Sequence, residues 1–262
     1  MFAPAIRKML LLPDRRKFRC FLFVLFLYPL LSVTFAFAGY PAGNETVLLS
    51  LDFTTTGPDA RQWLKRHGFI LKKDMANDRF IRLAGSKDRG LLISVNQSAF
   101  GLAVRRVLDL YDVGRVEVQW GVTRYPQGAD WRRGVHREPL MVTLFFGPKV
   151  AADHFYLPDS PFFIGLFLCK DGGRSIPFIG KSYRQTGRYY CCDDAGANLL
   201  STSTVNIAAA YRKWFATDVV PPLTGIGIEV DTSDLADGSA RAWLKKIVLY
   251  KRIQGGKKNV HR

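Results

Sequence analysis

Cysteine and histidine are scarce in this 262-residue chain, four of each. The histidines (His67, His136, His154, His261) are scattered and no Cys-x-x-Cys pair exists, so a structural zinc site is not expected. No Gly-x-Ser-x-Gly elbow is present, which removes the serine hydrolases built on one. Gly180-Lys181-Ser182 ends like a phosphate loop, but the glycine required five positions earlier is Ser175 and nothing helical follows. Internal repeats, long linkers and a second core are also missing, and helical periodicity is rare.

What is present begins with a leader-like segment. Arg7, Lys8, Arg15, Arg16, Lys17 and Arg19 precede an apolar run from Cys20 to Ala38, which closes on Ala36-Phe37-Ala38. This order predicts a signal peptide over residues 1–38, cut before Gly39, and an exported protein of the periplasm or cell envelope. The run is long enough to anchor the chain in a membrane if it stays uncut. No cysteine follows it where a lipoprotein would need one. Export permits a disulfide from Cys169 to Cys191 or Cys192; the plain alternative is three buried thiols.

The whole chain carries a formal charge of +16, and the first 38 residues hold six bases and one acid, so the remainder carries +11. Such a surface favours an acidic glycan or a lipid headgroup layer over nucleic acid in an exported protein, or is simply well solvated.

From Thr46 onward, short apolar or alternating runs are separated by Gly, Pro, Asp and Asn. Val116, Val118 and Trp120 alternate with Glu117 and Gln119, the period of a half-buried strand. Phe162–Leu168 is apolar on both faces. Strands are expected over Val47–Phe53, Gly68–Lys72, Arg79–Leu83, Gly90–Val95, Ala99–Val107 and Arg115–Arg124. They continue over Leu140–Phe146, Phe162–Cys169, Gly187–Cys192, Val205–Ala209, Thr224–Val230 and Ala242–Lys251. Short helices are expected over Asp59–Arg66 and Ala208–Phe215. The pattern predicts an all-β fold, a single jelly-roll-like β-sandwich over residues 39–254 with one or two short helices and a basic, frayed tail at 255–262.

Three blocks carry a family resemblance. They are Ala99-Phe100-Gly101-Leu102 with Val118-Gln119-Trp120; Pro126-Gln127-Gly128-Ala129-Asp130 with Leu140–Phe146; and Tyr211-Arg212-Lys213-Trp214-Phe215 with Pro221-Pro222, Gly225–Val230, Asp231-Thr232 and Ala242–Leu249. Their order and spacing resemble the exported bacterial "domain of unknown function three-zero-four-seven" family. The resemblance implies a fold and no activity. The chain departs from the family pattern in three places: Val230–Leu235 keeps only the first Asp-Thr pair of the acidic loop, Glu138 stands alone where the family tends to pair acids, and Ala210 replaces an aspartate.

Two constellations bear on chemistry. Glu229 and Asp231 lie two apart on a strand and so share a face, as the paired carboxylates of a glycoside hydrolase or lyase would; the plain alternative is a solvated strand end. Asp231, Asp234 and Asp237 would supply oxygen ligands to a structural calcium ion, the one cofactor the sequence leaves open. In the second constellation, Tyr125, Trp131, Arg132, Arg133 and Arg137 fall on one loop, where aromatic faces stack on sugars and guanidinium forks take carboxylate or phosphate. The leading expectation is a non-catalytic envelope protein that binds a glycan or an anionic surface ligand through this loop. A hydrolase or lyase and a structural, partner-binding component are the competing classes.

Overall fold

The computed structural model describes residues 45–170 and 173–252; the leader over 1–38 and the tail over 255–262 lie outside them. Twelve strands and two α-helices follow in chain order. They are β1 (Val47–Asp52), α1 (Ala60–Arg66), β2 (Phe69–Lys73), β3 (Ile81–Ser86), β4 (Gly90–Val95), β5 (Phe100–Leu110) and β6 (Val113–Arg124). Then come β7 (Glu138–Val150), β8 (Ser160–Cys169), β9 (Gly187–Asp193), β10 (Ser201–Val205), α2 (Ile207–Phe215), β11 (Leu223–Asp231) and β12 (Ala240–Lys251). One six-stranded sheet runs β10-β6-β12-β4-β3, with β1 also on β12; the other runs β2-β5-β11-β7-β8-β9. Among the described residues only β8 and β9 pair in parallel. The two sheets enclose one apolar core, an all-β sandwich of jelly-roll type.

The alternation read from sequence sets the inner faces. Val116, Val118 and Trp120 are fully buried, and the Trp120 indole N–H donates to Ser203 Oγ at 3.0 Å. From the facing sheet come Leu140, Val142 and Leu144 of β7, Ile164, Leu166 and Leu168 of β8, and Ile226, Ile228 and Val230 of β11.

Where a strand was expected over Val205–Ala209, the chain forms β10 earlier and α2 from Ile207. The Ser201–Val205 run pairs with Trp120–Val116. Asn206 then caps the helix, its side chain accepting the Ala209 N–H at 2.9 Å. The cap residue decides the boundary against the β-branched propensity of Val205 and Ile207.

Thr232 ties the end of β11 to the start of β5. It is fully buried; its hydroxyl accepts the Ala99 N–H at 3.1 Å and donates to Gln97 O at 3.3 Å, while its own N–H donates to Ala99 O at 2.8 Å. Cys169 and Cys191 form a disulfide between the ends of β8 and β9, their Cα atoms 5.5 Å apart. Cys192 is free and faces the core, where burial pushes its thiol up to about 12.

The second sheet also has a covered outer face. Trp131, Met141, Phe167 and Cys191 form a small second core there, with Phe178 and Tyr189 packed against it. Gly165 makes room for it, since a Cβ at that position would meet Met141 Sδ at 2.3 Å.

Candidate functional site

The outer face of β11 and β7 floors a cavity of about 440 Å³. Glu229, Asp231 and Met141 line its floor; Trp131, His136, Arg137, Lys181, Ser182, Tyr189 and Leu235 are among its walls. Glu229 and Asp231 alternate with the core residues Ile228 and Val230, which aims both away from the sandwich interior.

Glu138 joins them through a fault in the ladder. Counting back from Leu140 in steps of two would send it into the core. The β11–β7 pairing shifts between Glu229 and Asp231, however, so Glu229 lies opposite Met141 while Asp231 lies opposite Glu138. A bulge of this kind reverses which face the next side chain takes. Directly paired residues share a face, so Glu138 stands beside Asp231.

Three carboxyls in one partly enclosed space resist ionisation. Burial, then the charges of Glu229 and Asp231, push Glu138 well above the usual carboxylate range. It is 2% exposed, and the Trp131 indole and Arg137 beside it only partly offset the burial. Burial first and Asp231 second raise Glu229 to about 8. Asp231 is raised by burial too, but two neighbours, Ser233 and Arg137, favour its charged form. The Ser233 N–H donates to its Oδ1 at 2.9 Å and the Ser233 hydroxyl at 2.6 Å, while Arg137 Nη1 lies 3.4 Å from its Oδ2. Burial also lifts the Tyr189 phenol, with Glu229 and Glu138 adding to it. His136 is lowered by burial, then by Lys181 and Arg137, which disfavours its charged form.

The aromatic, arginine-rich loop takes a different form from the open contact surface its composition implied. Trp131 is 9% exposed and belongs to the second core. Its ring is stacked by His136 at 4.3 Å and Phe167 at 4.5 Å, so it walls the cavity and is no free platform for a sugar. Its indole N–H is buried beside the Glu138 carboxyl. Arg137 turns inward as a clamp on the β11 turn, donating to Ser233 O at 2.6 Å and to Asp234 at 2.7 Å. Tyr125 donates its hydroxyl to Asp194 at 2.7 Å. Arg132 and Arg133 are exposed, Arg133 within 3.4 Å of Asp130. Tyr125 and Arg132 border a second cavity, about 320 Å³, which shares Trp131, Arg137 and Glu138 with the first.

The aspartates considered for calcium do not gather. Asp231 and Asp234 flank Arg137, while Asp237 pairs with Arg124 at 2.9 Å and accepts from the Ser239 N–H. Among the described residues, no group of three or more His, Cys, Asp or Glu side chains is placed to hold a metal ion.

Sequence reasoning missed Glu138, Lys181, Ser182 and Tyr189. Glu138 was visible as an isolated acid before a strand, but its partnership depends on the bulge. Lys181 and Ser182 were visible only as a failed phosphate loop. They reach the cavity because Gly180 lies against Tyr189, where a Cβ would meet the ring at 2.7 Å.

No family model and no curated protein matches the chain. Among solved structures, a mutant of the Emp46p carbohydrate recognition domain aligns over 81% of this chain and all of its own, at 14% identity and TM-score 0.44. The family 11 carbohydrate-binding module of the Clostridium thermocellum cellulase Lic26A-Cel5E aligns over 82% of this chain and 99% of its own, at 9% identity and TM-score 0.37. The xyloglucanase domain of NopAA from Sinorhizobium fredii, solved with cellobiose, aligns over 71% of this chain and 95% of its own, at 10% identity and TM-score 0.41. With every TM-score below 0.5, these likenesses have no bearing on the chemistry of the cavity.

Proposed function

We propose that the protein is an exported envelope protein, a divergent member of the family it resembles, and that it binds a glycan in the outer-face cavity. One observation carries this reading: a partly enclosed cavity of about 440 Å³ on the outer face is lined by the polar groups of Glu138, Glu229, Asp231, Lys181 and Ser182 beside the apolar Met141 and Leu235. A ligand hydroxyl, both donor and acceptor, can meet the donors and the acceptors of such a lining. The volume lies in the range of small-ligand sites. Three carboxyls on the floor disfavour phosphate and other anions, while Met141, Leu235 and the Tyr189 ring offer apolar contact to the C–H faces of a sugar. The loop predicted as the contact keeps a part, through Trp131, His136 and Arg137 in the wall.

Xyloglucan, mixed-linkage β-glucan, peptidoglycan glycan strands and polygalacturonate, offered singly to the purified protein, test this. At least one uncharged glycan should be retained. Ser182→Trp, which fills the cavity, should weaken retention at least about tenfold, and Arg133→Ala should leave it unchanged. Retention lost in Arg133→Ala and kept in Ser182→Trp would return the contact to the loop tip; retention of none of the four would refute glycan binding.

A further inference from the structure

The same cavity holds the parts for cutting a glycan, an inference that rests on the glycan reading above. Glu229 and Asp231 stand at alternate positions of β11, with Cα atoms about 7 Å apart by strand geometry. Both carboxyls line one cavity floor, yet their surroundings differ. Asp231 receives two hydrogen bonds from Ser233 and faces the Arg137 guanidinium, all of which stabilise a negative charge. The cavity gives Glu229 no donor of that kind in the hydrogen bonds that fix Asp231, and Asp231 is its charged neighbour; a carboxyl so placed is more stable carrying its proton. Behind them Glu138, buried opposite Asp231, leaves no low-energy way for all three to ionise together. One protonated and one charged carboxyl on a common floor is the arrangement that glycosidic hydrolysis requires.

We propose that Glu229 and Asp231 are the general acid and general base of a glycoside hydrolase acting in the outer-face cavity. Glu229 gives its proton to the glycosidic oxygen as the bond from that oxygen to the anomeric carbon breaks, the electron pair staying with the departing oxygen. The oxygen of one water forms the new bond to the anomeric carbon, and the water proton passes to Asp231. Exchange with solvent then returns Asp231 to its charged form and Glu229 to its protonated form. Water is the sole co-reactant, and nothing is oxidised or reduced.

Retention and reducing-end release are measured on the same samples, with the four polysaccharides named above, for wild type, Glu229→Gln and Asp231→Asn. Wild type should release reducing ends from a glycan it retains, with the rate falling as pH rises through about 8, where Glu229 loses its proton. Both variants should retain that glycan and release it at least about a hundredfold more slowly. A dinitrophenyl glycoside of the retained sugar, whose leaving group needs no proton, should still be cleaved by Glu229→Gln and not by Asp231→Asn. That contrast separates the two roles, and retention of the glycan by each variant shows that it is folded. Retention without release by wild type would overturn the hydrolase and leave glycan binding standing; no retention at all would remove both. Release with unsaturated, ultraviolet-absorbing ends would replace hydrolysis by elimination, and release equal in all three proteins would sink the assignment of these residues.

Discussion

Glu138 and Glu229 are held where a carboxylate is poorly solvated, and that has a consequence for stability. Each binds its proton more tightly in the folded protein than in the unfolded chain, because burial penalises the charged form. Below the ordinary glutamate value of 4.5 both states are protonated and neither group costs anything. As pH rises above that value the unfolded chain ionises first, so stability falls across the interval up to about 8, where Glu229 also ionises. Asp231, raised as well, acts in the same direction. Asp52 and Asp237, both lowered by their own hydrogen bonds, act only below the usual aspartate range and leave this interval alone; His136, lowered by burial, acts in the opposite direction within it and offsets part of the decline. The expected outcome is a melting temperature that declines between about pH 5 and about pH 8. Glu138→Gln should lessen the decline and stabilise the protein at the upper end by roughly 1–3 kcal/mol. A melting temperature that rises over the same interval would contradict the electrostatics of the cavity. Of these acids, Glu229 and Asp231 were legible in the sequence because strand alternation is a local rule. Glu138 was not, because its orientation depends on a register shift against a strand some ninety positions away.

At the scale of elements, the cavity depends on segments that are not themselves regular. The stretch from Cys169 to Cys191 carries Lys181, Ser182 and Tyr189 to the site, and the disulfide closes it into a loop with a sequence separation of 22. Loop-closure entropy puts the stabilisation from such a bridge at about 3 kcal/mol. Replacing both cysteines by alanine should therefore lower unfolding free energy by about that amount. Denaturant titration measures it, and glycan retention should fall with it because one wall is loosened. Loss of stability with retention intact would mean that this segment is not part of the site. The sequence left the bridge open between Cys191 and Cys192; strand parity separates them, since Cys191 faces the outer cluster with Trp131 while Cys192 faces the main core. Most strands could be read from alternation and turn residues. The 201–209 stretch could not, because Ser and Thr side chains suit an edge pairing with β6 as well as a loop, and only the Asn206 cap fixes where helix begins.

For the whole molecule, the basic surface and the acidic cavity pull in opposite directions. The formal charge of +11 on residues 39–262 attracts polyanions to the exterior, and that attraction weakens with salt. The cavity floor is a set of carboxyls matched to uncharged hydroxyls, whose hydrogen bonds are much less sensitive to screening. The sandwich itself was legible, since many short alternating strands allow few other folds. Its second, covered face was less so, because a composition rich in Trp, Tyr and Arg reads as an open surface until Trp131 is found stacked between neighbours. Everything said of function depends on where a sugar sits. A crystal structure of Glu229→Gln with an oligosaccharide cut from the retained glycan measures that directly. The account predicts a sugar ring over β11 in the outer-face cavity, with a hydroxyl within hydrogen-bonding distance of Glu138 Oε2 or Trp131 Nε1. A sugar bound instead at the exposed Arg132–Arg133 tip, with the cavity holding only water, would contradict it.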